Sequence, residues 1–95
     1  MRGIAAEGID TAGVKVRKNA ESAASFCWID QRSGKRSIAW TRGTARPLTP
    51  RELSRERIRA CDLLHLDGHQ TQAALAAAAV ARKHGVCVSI DAGTL

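Results

Sequence analysis

Apolar and polar positions change their period several times along this chain, and each change marks an element. Ser22 to Asp30 and Arg36 to Thr41 alternate as extended strands do, and Asp30-Gln31-Arg32-Ser33-Gly34-Lys35 between them carries turn residues. The two runs are predicted to pair as an antiparallel hairpin. Alternation puts Ala24, Phe26 and Trp28 on one face and Ser25, Cys27 and Ile29 on the other. Both faces are fairly apolar. A two-stranded ribbon is marginal alone in water, so this one is expected to cover a core, a ligand or a second subunit. Val14-Lys15-Val16-Arg17 also alternates and reads as an edge strand, whereas Ile4 to Glu7 reads as the end of a helix with Gly8 just past it.

Beyond a loop with Gly43 and Pro47, the pattern turns helical. Thr49 is a good N-cap, Pro50 suits the first helical position, and Glu52 stands where a capping box needs it. That helix is predicted to run to about Arg59, with Leu53 and Ile58 as its inward anchors. Asp62 to Asp67 is then a short apolar run of the kind found in buried parallel strands. Gln70 to His84 is alanine-rich and closed by Lys83, His84 and Gly85, a second helix. Val86 to Asp91 is a second apolar strand. Strand, helix and strand make a βαβ unit, whose crossover is expected to be right-handed. The fold class is therefore α/β, with a parallel sheet and a small β hairpin.

Composition narrows the function classes. The chain has 95 residues, enough for at most one compact unit, and its 44% hydrophobic and 25% charged residues are ordinary for a globular protein. The uncharged stretch from His69 to Ala81 falls short of the ~20 apolar residues of a membrane span, so no membrane partner is expected. The first ten residues lack the apolar stretch of a secretory signal, and a cytoplasmic location is the expectation. The net charge of +6 is concentrated: Arg32 to Arg59 holds nine basic residues against Glu52 and Glu56, a local +7. Such a stretch attracts phosphate groups, yet its arginines fall in no nucleic-acid motif, and three aromatic rings are few for base stacking. Nucleic acid is thus disfavoured as a partner, and a small basic nucleic-acid-binding protein is kept as the alternative function. Cys27, Cys61 and Cys87 are odd in number and widely spaced, which argues against disulfides and zinc and for reduced, mostly buried thiols.

Ligands of open parallel sheets bind beyond the carboxyl ends of the strands. Both strands of the βαβ unit end there in a carboxylate followed closely by glycine, Asp67-Gly68-His69 and Asp91-Ala92-Gly93. For Asp67 two readings stand, a cap for the following helix and a substrate contact. Asp91 reads first as a turn former and second as a ligand contact. His65, in mid-strand, reads as a satisfied core or edge histidine rather than a metal ligand, and no metal spacing is visible.

The order of these pieces resembles a known family. Gly8-Ile9-Asp10-Thr11-Ala12-Gly13-Val14, the hairpin turn and return strand Ser33-Gly34-Lys35-Arg36-Ser37-Ile38, Leu48-Thr49-Pro50-Arg51-Glu52-Leu53, Leu64-His65-Leu66-Asp67-Gly68 and Ser89-Ile90-Asp91-Ala92-Gly93 look like the middle of a ribokinase-like (PfkB) carbohydrate kinase. The resemblance covers about Gly8 to Leu95. It implies a doubly wound α/β domain, of which residues 1–95 are a central fragment: 14–42 the strands of a lid and 49–95 part of the core. It also implies ATP-dependent transfer of a phosphoryl group to a sugar hydroxyl, with Mg2+. Ser25 and Cys27 would face the sugar from the lid while the other lid face pairs with a second subunit. Asp67, Gly68, His69 and Asp91 would lie at the substrate, and Arg42, at the lid's end, would favour an anionic one. The family's Gly-Gly-Asn sugar motif and late Gly-Ala-Gly-Asp catalytic loop have no counterpart here. No catalytic residue is therefore assigned, neither ATP nor Mg2+ is expected to bind this chain alone, and inactivity in isolation is the expectation.

Overall fold

The computed structural model describes residues 2–91. The elements are α1 (Arg2–Ala6), β1 (Ala24–Ile29), β2 (Arg36–Thr41), a 3-10 turn (Pro50–Glu52), α2 (Arg55–Arg59), β3 (Leu63–Leu66), α3 (Thr71–Lys83) and β4 (Cys87–Ile90). The chain is mixed α/β, with an antiparallel β1–β2 pair and a parallel β3–β4 pair. Instead of the one compact unit expected from its length, it divides into two compact bodies, one made of Met1–Lys15 with Pro47–Leu95, the other of Val16–Arg46.

The first body is organised by α3. Alanine is the best helix former, and its methyl lets a helix approach a sheet closely. Ala73, Ala77 and Ala81, spaced by four residues, form one stripe, at 3%, 4% and 0% exposure. Ile58 from α2 joins Ala77 and Ala81 in the core, with Leu53, Leu64, Val80 and Val86 packed around them. The 13-residue helix is about 20 Å long, enough to return beside β3 and β4. It ends as a Schellman motif: Gly85 N–H donates to the Arg82 carbonyl (3.4 Å) and Val86 N–H to the Ala81 carbonyl (2.9 Å). Gly85 has φ +70, the left-handed conformation that this reversal needs and that glycine adopts without strain. The stop signal read from Lys83-His84-Gly85 therefore has a geometric cause. β3 and β4 are hydrogen-bonded neighbours in the register Leu63 to Cys87, Leu64 to Val88, His65 to Ser89 and Leu66 to Ile90.

Several expectations need correction. The strands read as buried are open: Leu63, Val88 and Ile90 are exposed, because among the described residues no third strand pairs with either edge and the helices pack on one side. The cysteines are free, as expected, but all three are exposed rather than buried. Cys27 lies on a ribbon open on both faces, Cys87 on a strand open at its edge, and Cys61 after α2, where its Sγ donates to the Arg57 carbonyl (3.0 Å). The single helix expected over Thr49 to Arg59 is two pieces. The Glu52 carboxylate takes the N–H and hydroxyl of Thr49 (3.0 and 3.2 Å), as a capping box at Thr49 requires, but Leu53 is extended and Ser54 starts α2 as a fresh N-cap, accepting the Arg57 N–H (3.3 Å). A serine that bonds forward to the backbone competes with continuation of the helix. Val14-Lys15-Val16-Arg17 is not a strand: Val14 N–H closes a turn onto the Thr11 carbonyl (3.0 Å), and no ladder partner exists among the described residues.

In the second body, the hairpin forms with the expected partners, Ala24 opposite Thr41 through Ile29 opposite Arg36. Its turn is closed by Asp30, whose backbone exchanges hydrogen bonds with Lys35 and Gly34 and whose carboxylate accepts from Arg32 N–H (2.9 Å) and the Ser33 hydroxyl (2.9 Å). These bonds hold the Asp30 carboxyl below its usual pKa, the Arg32 N–H contributing most. Every strand residue of the hairpin is exposed.

Because Ala81 has no exposed surface, Ala81→Leu must overfill the helix–sheet contact, a class of change that costs about 1–3 kcal/mol. The thermal midpoint, followed by circular dichroism, should drop by roughly 4–8 °C per kcal/mol lost. Leucine at the exposed Ala79, on the opposite side of α3, should leave it nearly unchanged.

Candidate functional site

The parallel ladder delivers both strand-end carboxylates to one place. Leu66 and Ile90 are its last registered pair, and Asp91 N–H donates to the Leu66 carbonyl (2.9 Å), carrying the ladder one step further. Asp67 and Asp91 therefore emerge side by side at the carboxyl ends of β3 and β4. Asp67 does not cap α3. Gln70 occupies the N-cap position, and Asp67 Oδ1 instead accepts the His69 N–H (3.0 Å) across Gly68, which has φ +83. The carboxylate thus fixes its own turn, in the manner of an Asx turn. Ala92 and Gly93, which completed the second strand-end motif, lie outside the described residues.

Beside Asp67 the first body carries an open groove with an apolar floor. Leu48, Leu53, Ile58, Leu64, Leu66 and Ala73 line it, and Asp67, Glu52, Gln70, Arg57 and Lys15 bring polar groups to its wall. Two long-range hydrogen bonds hold that wall. The Gln70 Oε1 accepts the Leu48 N–H (2.8 Å), tying the 47–48 loop to the start of α3. Arg57 Nη1 donates to Asp10 Oδ2 (2.8 Å), tying α2 to the turn in which Asp10 Oδ1 accepts the Ala12 N–H (2.9 Å). The Ala12 N–H first, and then the Arg57 guanidinium, hold the Asp10 carboxyl below its usual pKa.

The candidate residues fall into two sets. Asp67, Gly68, His69 and Asp91 belong to the first body and share the strand ends. Ser25, Cys27 and Arg42 belong to the second. Cys27 stands opposite Ile38 and Ser25 opposite Trp40, so that face of the hairpin also carries Ile29 and Arg36; Arg42 follows β2 directly. His65 is satisfied, as expected of an edge histidine: its Nδ1 lies 2.8 Å from the Ser89 hydroxyl on the neighbouring strand. Arg57 and Gln70 went unrecognised as organisers, because nothing in their local pattern announces partners 47 and 22 residues away. Among the described residues no group of three or more His, Cys, Asp or Glu side chains converges as a metal site would require, and no helix is long and apolar enough to cross a membrane.

The chain is 29% identical over 92 residues to an ATP-dependent ribose-1-phosphate kinase of Halopiger xanaduensis. The chain is similar to part of a sugar kinase. The match takes in 97% of this chain but 31% of the relative, so the chain spans about a third of that protein's length. No family model matches, and no solved structure matches.

Arg57→Gln should return the Asp10 carboxyl toward its usual pKa in a carboxylate titration followed by NMR. A carboxyl depressed in the folded state contributes stability that is complete above its unfolded pKa and is lost as pH falls through the folded value. Between those two values, acid unfolding of the wild-type chain should therefore start at lower pH than that of the variant. Coincident titrations would show that the ion pair does not operate in solution.

Proposed function

We propose that this chain is the central part of a ribokinase-like (PfkB) carbohydrate kinase, the protein that transfers a phosphoryl group from ATP to a sugar hydroxyl. The observation that carries this reading is the similarity over nearly the whole chain to a kinase of ribose 1-phosphate. The βαβ unit with paired carboxylates at its strand ends is the arrangement that such a substrate site needs. In this reading the hairpin is a lid whose Ser25 and Cys27 face the sugar, and Asp67, with Gly68 and His69, orients a sugar hydroxyl by accepting its hydrogen bond. Asp91 lines the same strand-end edge. The opposite lid face offers Phe26 and Trp28 to a second subunit.

The described residues do not fit ATP and Mg2+. They contain no glycine-rich phosphate cradle, and their carboxylates do not converge on a metal position. No catalytic step through the nucleotide is therefore assigned to this chain; what its own residues supply is substrate positioning, which can be worth several kcal/mol of barrier.

Two measurements test the reading. In a longer protein that contains this segment, Asp67→Asn should lower kcat/KM for the sugar by tenfold or more, at about 1.4 kcal/mol per decade, with a much smaller loss of stability. Unchanged kinetics would leave Asp67 as a turn residue. The 95-residue chain alone, incubated with ATP, magnesium and a panel of sugars, should release no ADP beyond a control without protein; turnover there would overturn the assignment of its residues to positioning alone.

A further inference from the structure

All three aromatic rings of the chain, Phe26, Trp28 and Trp40, stand on the hairpin, and all three are exposed. The strand register sorts them. Phe26 lies opposite Ala39 and Trp28 opposite Ser37, so the rings on that face have only small cross-strand neighbours and stay 71% and 60% exposed. They are two residues apart on β1, about 7 Å along the strand, and project to the same side. Trp40, opposite Ser25, belongs to the other face. Cations bracket the two rings. Arg32 and Lys35 lie in the turn at the tip, where the Asp30 carboxylate is taken up by the Arg32 N–H and the Ser33 hydroxyl. Arg42 follows β2 at the root, and Lys18 and Arg46 line one cleft there. The root is clasped by backbone. The Glu21 carbonyl accepts the N–H groups of both Thr44 (2.8 Å) and Ala45 (3.0 Å), Glu21 N–H donates to the Thr44 hydroxyl (2.7 Å), and Arg17 Nε donates to the Arg46 carbonyl (3.4 Å). Gly43 has no room for a side chain: a Cβ there would collide with the backbone of Glu21 and Ser22. The close approach of the two segments is thus built into the sequence.

Charge and rings point to one kind of occupant. Val16–Arg46 carries seven Lys and Arg against Glu21 and Asp30, a net +5. An open ring face takes a nucleobase, since every base has a flat face of its own, while lysine and arginine neutralise the phosphates between bases. In a duplex the base faces are covered by their neighbours, so such rings select a single strand. Three rings are few for base stacking, but two of them share one face here and both are largely open. We propose that the Phe26 and Trp28 face of the hairpin binds a single-stranded nucleic acid, two bases stacking on the two rings and the phosphates meeting the cations at tip and root. These groups read base planes and phosphates, which RNA and DNA share. The binding goes beyond the kinase reading and does not depend on it. A second subunit, which that reading seats on the same face, would compete with the strand; a body of net +5 repels its own copy and attracts a polyanion, so charge favours the strand.

The test is the fluorescence anisotropy of a labelled oligothymidylate of about 10 nucleotides, titrated with the 95-residue chain. Binding should appear at low salt and weaken as salt rises, and the slope of log affinity against log salt should flatten by about 1 when Lys35→Gln removes one phosphate contact. The pair Phe26→Ala with Trp28→Ala should weaken binding by about tenfold or more, whereas Phe26→Tyr with Trp28→Phe, which keeps both rings, should hold it within about threefold. Cross-strand NMR contacts between residues 26 and 39 should persist in the alanine pair, so that lost binding reads as lost stacking and not as a lost hairpin. Inorganic polyphosphate or a DNA duplex bound as tightly as the single strand would overturn the proposal, since neither offers open base faces. An alanine pair of undiminished affinity, an aromatic pair as weak as the alanine pair, or self-association through residues 26 and 28 that excludes the oligonucleotide would overturn it as well. No sugar or ATP is present, so this result and the kinase assays stand or fall separately.

Discussion

The contact between the alanine stripe of α3 and the sheet pair is what the first body depends on. Ala73, Ala77 and Ala81 leave so little side chain between helix and strands that Ile58, Leu64 and Val86 can close around them. The core this makes is small, and the Schellman stop at Gly85 is what sends the chain from α3 directly into β4. The parallel register of β3 and β4 then follows, and with it the neighbouring positions of Asp67 and Asp91. The candidate site therefore lies beside a groove that Ala73, of the same alanine stripe, helps to line.

The second body is held together by different physics. Its hairpin carries no buried residue, so its order comes from the backbone ladder, the Asp30 turn and the clasp between Glu21 and Thr44. A ribbon of this kind keeps Phe26, Trp28, Ile29, Ile38 and Trp40 in solvent. That exposure is costly, because a two-stranded ribbon has no layer of its own to cover it. The clasp adds a basic wall at the hairpin's root from Arg17 and Lys18, which lie outside the Arg32 to Arg59 stretch where the sequence concentrates its charge, and Arg46, which lies inside it.

The chain is similar to part of a ribose-1-phosphate kinase, and its arrangement is mixed α/β. The chain matches a stretch of that relative equal to 31% of its length, and the chain itself carries strand-end carboxylates and a hairpin but no converging metal ligands among the described residues.

Much of the local structure was legible without coordinates. Alternation and turn chemistry located the hairpin and its faces, and the run from Asp62 to Asp91 gave strand, helix and strand, because period and helix stop signals are local properties of the chain. The split of the Thr49 to Arg59 helix was also written locally, in Ser54, but two adjacent cap signals compete and only packing decides between them: Leu53 turns to the core and breaks the helix. Burial was misread for the strands and cysteines, since apolar composition states a preference for cover and not whether a layer is there to provide it. The Arg57 to Asp10 and Gln70 to Leu48 bonds, and the clasp that gathers Arg17, Lys18 and Arg46, join segments 47, 22 and about 25 residues apart. The sequence by itself determined the elements and which residues could carry charge to a ligand; the tertiary structure alone decided which of those charges meet, because closing such loops depends on contacts that no local pattern encodes.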